Sequence, residues 1–314
     1  MKSNEISSGN LTGPGVYLGM FSLTRVIGNV VIVLLAITIC FFNASMVHTF
    51  NKHQIFRFNP RYILFIHLVL NDMIQLTASI SLYIFAHTFY TIYVSLCALI
   101  LLPAVLTTNN TPLNLACMAA ECYISVCIPL RYENICTVKK TYIVIAIMWL
   151  ISLLTVLPDV FTLLIAEDLH FLKSRLFCER DTVFRSSYGK YKRDASHIFF
   201  LVVVFVTLFY TYFRVLLVAK AANSEAKKAR NTILLHGFQT LLCMMVYVQP
   251  LLKQLVIYLF PEQRQHIQNT TFVLIQVVPR FLSPVIYGLR DKVFRMYLRK
   301  CFICVQVKAV RIKP

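Results

Sequence analysis

The sequence carries little charge for its length. Of 314 residues, 14% are charged and 58% are hydrophobic, where a soluble domain carries roughly 25% charged residues. It also lacks the short signatures of enzyme sites: there is no HExxH, no GxSxG and no phosphate-binding loop. A CxxC spacing occurs once, at Cys301-Phe302-Ile303-Cys304, in a basic segment without histidine partners. His48, His67, His87 and His236 are scattered over separate apolar blocks and read as structural residues. No internal repeat is visible. An enzyme is excluded on these grounds, and neither a cofactor nor a metal is implied.

What the chain does have is long apolar runs. A helix crossing the hydrocarbon core needs about 20 mostly apolar residues at a rise of 1.5 Å each. Seven blocks are long enough: 26–50, 62–86, 92–120, 141–166, 195–219, 231–259 and 267–289. The fold class is therefore an all-α membrane protein, a seven-transmembrane helix bundle. The division expected is an outer tail at 1–25, the bundle at 26–289, and an inner segment at 290–314.

Orientation follows from Lys and Arg. With the N-terminus outside, the inner connections are 51–61, 127–140 and 220–230. They hold Lys52, Arg57 and Arg61, then Arg131, Lys139 and Lys140, then Lys220, Lys227, Lys228 and Arg230. The tail from Arg290 adds eight more cations. The outer side is basic only at 167–194, where cations mix with Glu167, Asp168, Glu179 and Asp181. The net charge of +18 thus anchors one face to anionic lipid and does not point to nucleic acid. Residues 1–24 lack a compact apolar region behind a basic start, so the first helix is expected to act as the insertion signal. They read as a polar, mobile tail. Asn10 opens a glycosylation sequon there, while the sequons at Asn43 and Asn109 fall inside helices and that at Asn269 near the outer surface.

Of ten cysteines, only Cys97 and Cys178 fall on the outer side, where disulfides persist. A bridge between them is expected. From Arg290 the chain reads RDKVFRMYLRKCFIC, with Val293, Phe294, Tyr297, Leu298, Cys301 and Phe302 at helical spacing. That is a short amphipathic C-terminal helix lying on the inner leaflet, with Cys301 and Cys304 as acylation candidates.

Local motifs then narrow the class. Met118-Ala119-Ala120-Glu121-Cys122-Tyr123, running on to Cys127-Ile128-Pro129-Leu130-Arg131-Tyr132, resembles the odorant-receptor signature MAYDRYVAICxPLRY. Lys228-Ala229-Arg230-Asn231-Thr232-Ile233-Leu234-Leu235-His236 resembles KAxSTCxSH, and Ser283-Pro284-Val285-Ile286-Tyr287-Gly288-Leu289-Arg290 is close to NPxIYxLRN. Pro60 and Tyr62 match a PMY triplet, and Trp149 takes the usual fourth-helix place. In order and at these separations, the set resembles rhodopsin-like G-protein-coupled receptors of the odorant family, in particular fish receptors of the 131 type.

The resemblance implies a receptor in the plasma membrane that binds a small-molecule odorant and activates a heterotrimeric G protein of olfactory type. It implies a pocket lined by Ala104, Val105, Thr108 and Asn109 on the third helix. Ser196, His197 and Phe200, Tyr247 and Leu251, and Phe272 and Gln276 would complete it from the fifth, sixth and seventh helices. Coupling would fall to Glu121, Cys122, Tyr123, Arg131, Tyr212, Lys228, His236 and Tyr287. Cys122 stands where the family has the Arg of its DRY triplet, and Ser283 replaces the Asn of NPxxY. Glu121 is thereby expected to lack its local partner, because Arg131 follows Pro129 into the loop.

Asp72 and Arg280 lie deep in their apolar blocks, about 15–17 Å from the inner surface at 1.5 Å per residue. Intramembrane charges face inward and find partners, so an ion pair between helices two and seven is expected. The alternative acceptor for Arg280 is a backbone carbonyl freed by Pro279 or Pro284. Two other functions compete with the receptor reading. A transporter or channel calls for broken helices at matching positions or a polar stripe, and neither is visible. A receptor-like protein with lost coupling is kept open by Cys122.

Overall fold

The computed structural model describes residues 14–89, 91–165, 167–220, 270–282 and 291–300, with scattered positions between 234 and 267 and at 285. Among the described residues, five helices are long and apolar enough to span a bilayer. They are α1 (Pro14–Lys52), α2 (Pro60–Thr88), α3 (Val94–Cys127), α4 (Val138–Ile165) and α5 (Ser187–Lys220). In the sixth expected block, Leu234, Phe238, Leu241 and Met245 are helical and exposed. Their spacing of three or four places them on one apolar face. The seventh block is helical over Phe272–Leu282, and it opens in π form across Phe272–Val277.

Two boundaries differ from the sequence expectation. Helix α1 starts at Pro14, inside the segment read as a mobile tail. Proline suits the first helical position, where its missing N–H has no partner to lose, and the apolar residues that follow continue the helix. The outer loop expected at 167–194 is also shorter, because α5 begins at Ser187. Lys192 and Arg193 belong to that first stretch; Arg193 pairs with Asp181 at 2.8 Å, and Lys192 with an acid of α4 described below.

The bundle turns apolar side chains outward and buries polar ones within its largely apolar interior, so its outside differs from that of a soluble domain. Leu34, Ile37, Phe41, Leu154, Phe161, Phe199, Val206 and Phe209 are exposed, while Asn43, Asn71, Asp72, Gln75, Asn110 and Asn114 are buried. Helix α3 is the hub and packs against α2, α4 and α5. One end of the bundle is closed by the Cys97–Cys178 disulfide, with Cα atoms 5.7 Å apart. Beside it, β1 (Ile92–Tyr93) pairs antiparallel with β2 (Arg175–Leu176), so the loop after α4 is fastened to the start of α3 both covalently and through the backbone. The carbonyl of Ser174 adds a bond from Val94 N–H at 3.1 Å.

At the opposite, basic end, residues 292–300 form the expected surface helix. Asp291 caps it by accepting from Phe294 N–H at 2.9 Å, and Tyr62 donates to the other carboxylate oxygen at 2.8 Å. Phe294 and Leu298 are 1% and 2% exposed and pack with Phe56, Leu64 and Leu68. This face is turned onto the bundle, and Val293 and Met296 are left exposed.

Candidate functional site

The residues expected to line a pocket on α3 point two ways. Thr108 accepts from the Gln75 amide of α2 at 2.6 Å, whereas Asn109 donates to Thr155 of α4 at 3.1 Å. Val105 packs with Val156 and Leu163 of α4, and Ala104 is buried. Thr108 and Asn109 thus make helix–helix bonds. Ser196 bonds back to the Lys192 carbonyl at 2.8 Å, Phe200 is buried, and Phe272 stacks on Tyr83 with centroids 4.7 Å apart. Gln276 lies in the π segment. Tyr247, Leu251 and the side chain of His197 lie outside the described residues, so one wall of the expected pocket does too. A cavity of about 260 Å³ lies elsewhere, between α1 and α2, lined by Asn29, Val33, Leu34, Tyr83 and Thr88 among others.

Close to that stretch of α3 is a charge cluster. Asp159 of α4, 5% exposed, meets Lys192 at 2.5 Å and Arg180 at 3.8 Å. Lys192 also donates to the Thr155 carbonyl at 3.1 Å. This acid, near the C-terminal end of α4, is therefore buried and served by two cations.

Deeper in the bundle, Asp72 and Arg280 are both buried, at 1% and 2% exposure. Among the described residues the ion pairs do not join them. Arg280 instead donates Nη1 to the Ile275 carbonyl at 3.3 Å. In an α-helix that carbonyl would receive the N–H four residues on, which is Pro279, and proline has none. The guanidinium offers that carbonyl a donor that proline cannot. Across the bundle the Trp149 indole donates to His67 at 2.9 Å, which gives this histidine a structural role.

At the basic end, Glu121 is 5% exposed and accepts three hydrogen bonds from two neighbours. Arg61 reaches Oε2 through Nε at 3.2 Å and Oε1 through Nη2 at 3.4 Å, and Tyr132 donates to Oε1 at 2.8 Å. Burial and then the adjacent Glu121 charge push the Tyr132 phenol up from its ordinary range, so it stays a neutral donor. Arg131 is exposed in the 3-10 turn Pro129–Arg131, as its position after Pro129 predicts. Cys122 is buried against Val215 of α5, beside Tyr123, Val126 and Tyr212.

Residues 42–287 match the 7 transmembrane receptor (rhodopsin family). The chain belongs to that family. The receptor is 28% identical over 269 residues to odorant receptor 131-2 of Danio rerio, covering 83% of this chain and 82% of that protein. Human olfactory receptor 6J1 is 26% identical over 61% of this chain and 56% of its own length. Human olfactory receptor 4K17 is 24% identical over 59% and 60% respectively. The receptor is a multi-pass membrane protein and not an enzyme.

Sequence reasoning missed the partners in both charge clusters of the receptor. Arg61 was counted only as an inner anchoring cation, and Lys192 only as part of a mixed-charge loop. The legible signal was their place at the ends of helices that neighbour an acid-bearing helix. Lys228, His236, Ser283, Tyr287, Cys301, Cys304, Asn10 and Asn269 lie outside the described residues. Asn43 and Asn109 are buried within helices.

Proposed function

We propose that this receptor is an odorant receptor, which takes a small organic molecule into its helix bundle and activates a heterotrimeric G protein. The similarity to a fish odorant receptor over most of both chains carries the reading. In this proposal the N-terminus is extracellular, the receptor lies in the plasma membrane, and the basic end meets the G protein. The ligand lies near Ala104, Val105, Thr108, Asn109, Ser196, His197, Tyr247 and Gln276, in an apolar setting with few polar groups. Coupling involves Glu121, Cys122, Tyr123, Arg131, Tyr212, Lys228, His236 and Tyr287. A second reading, a receptor with altered coupling, draws on one observation: a buried thiol at Cys122 cannot supply a guanidinium's fixed charge and donors.

The test is a cAMP or calcium assay in cells that supply an olfactory-type G protein, run against an odorant panel. An agonist should be found, and Asn109→Ala, His197→Ala or Tyr247→Ala should shift its potency at normal surface levels. A silent wild type at good surface expression favours the altered-coupling reading. Potency unmoved in all three variants places the ligand elsewhere.

A further inference from the structure

We infer that Arg61 is a positioning residue for the coupling face: from α2 it holds Glu121 of α3 and, through that carboxylate, the loop that carries Tyr132. The inference rests on the proposed G-protein coupling for its signalling consequence, and on geometry alone for the fastening itself.

The sequence fixes Arg61 in place. Asn59 caps α2 by accepting from Arg61 N–H at 3.0 Å, and Pro60 takes the first helical position. The Arg61 guanidinium gives one N–H to each oxygen of Glu121, the two-pronged arrangement that adds directional specificity to charge attraction. Its Nη2 also reaches Ser125 Oγ at 3.3 Å, one turn further along α3. The Arg61 side chain is 46% exposed while that of Glu121 is 6% exposed. The acid is thus desolvated and the cation can swing out to water. That asymmetry suits a contact that must open: the guanidinium can leave without being stranded, whereas the carboxylate needs a replacement donor. Tyr132 supplies a second bond to the same carboxylate from the segment Tyr132–Ile135. One buried acid therefore joins α2, α3 and the connection to α4.

No cation of the motif region itself does this. Position 122 is a cysteine packed against α5, and Arg131 points from an exposed turn. A helix-two guanidinium takes a place that α3 itself leaves vacant. Bonds that tie three elements together favour this arrangement over any other, so removing them raises the population of the alternatives.

The experiment compares wild type with Arg61→Gln, Glu121→Gln, the double variant and Arg57→Gln, an exposed cation in the connection that precedes α2. Basal cAMP per surface receptor and the melting temperature of detergent-solubilised protein are both read. Arg61→Gln and Glu121→Gln should each raise basal signalling by about fivefold, the size expected for a half-exposed pair, and each should lower the melting temperature. The double variant should be no worse than the singles, and Arg57→Gln should match wild type. General structural damage lowers signalling per receptor and does not produce this rise. If Arg61→Gln fails to reach the surface, the exchange Arg61→Glu with Glu121→Arg answers instead: recovery relative to either single supports the pair, and no recovery overturns it. Additive effects, or Arg61→Gln behaving like Arg57→Gln, also overturn it. A wild type that never signals while the melting effects remain non-additive would overturn the proposed G-protein coupling and leave the fastening intact.

Discussion

Cys122 is 4% exposed and fills a small apolar niche between α3 and α5. A thiol there behaves as a small hydrophobe. Replacing it with arginine would bring a second guanidinium beside Glu121, in competition with Arg61. We expect Cys122→Arg to reach the surface and to lower basal signalling, because Glu121 is then held from within its own helix as well. Equal basal and agonist-evoked responses in variant and wild type, at matched surface expression, would show that position 122 has no part in switching. The sequence alone identified the substitution. It did not reveal that Glu121 has a partner after all, since Arg61 is 60 residues away along the chain.

At the scale of elements, the segment Phe272–Leu282 shows how a local defect recruits a charge. Proline at 279 removes the donor for the Ile275 carbonyl, and the preceding turn widens to a π-helix, the form in which such bulges commonly occur. Arg280 then bonds the freed carbonyl. A hydrogen bond from a charged group contributes about 1.5–3 kcal/mol. Arg280→Gln should therefore reduce surface expression. Pro279→Ala restores an N–H for that carbonyl, so the double variant should recover part of the loss. If Pro279→Ala gives no relief, the carbonyl is not what Arg280 serves. The sequence favoured the Asp72 pairing and kept such a carbonyl as the alternative. Depth along a helix follows from residue count, but the direction of a long side chain depends on the turn geometry around it. The helical blocks were legible because each must be apolar for about 20 residues. The start of α1 was not, because composition marks where lipid contact begins, and a helix can extend past that point.

For the whole molecule, the proposed orientation puts the disulfide end outside and the surface helix within. It predicts that Asn10 carries a glycan. Glycosidase treatment of the surface receptor should increase its gel mobility, and Asn10→Gln should abolish that shift without exposing a C-terminal epitope on intact cells. An accessible C-terminal epitope would reverse the topology. Taken by itself, the sequence determined that this is a bundle of membrane-crossing helices, that Cys97 and Cys178 would meet, and that an amphipathic helix would follow the last span. Each of those features is written in consecutive or uniquely placed residues: a run of apolar side chains, two cysteines on the outer side, a 3.6-residue period. Only the tertiary structure decided which cation serves Glu121, that Asp159 is held by Lys192 and Arg180, and that Thr108 and Asn109 face different helices. Those pairings join residues on separate helices, and helix–helix register is set by how α3 packs against α2, α4 and α5, which no single stretch of sequence encodes.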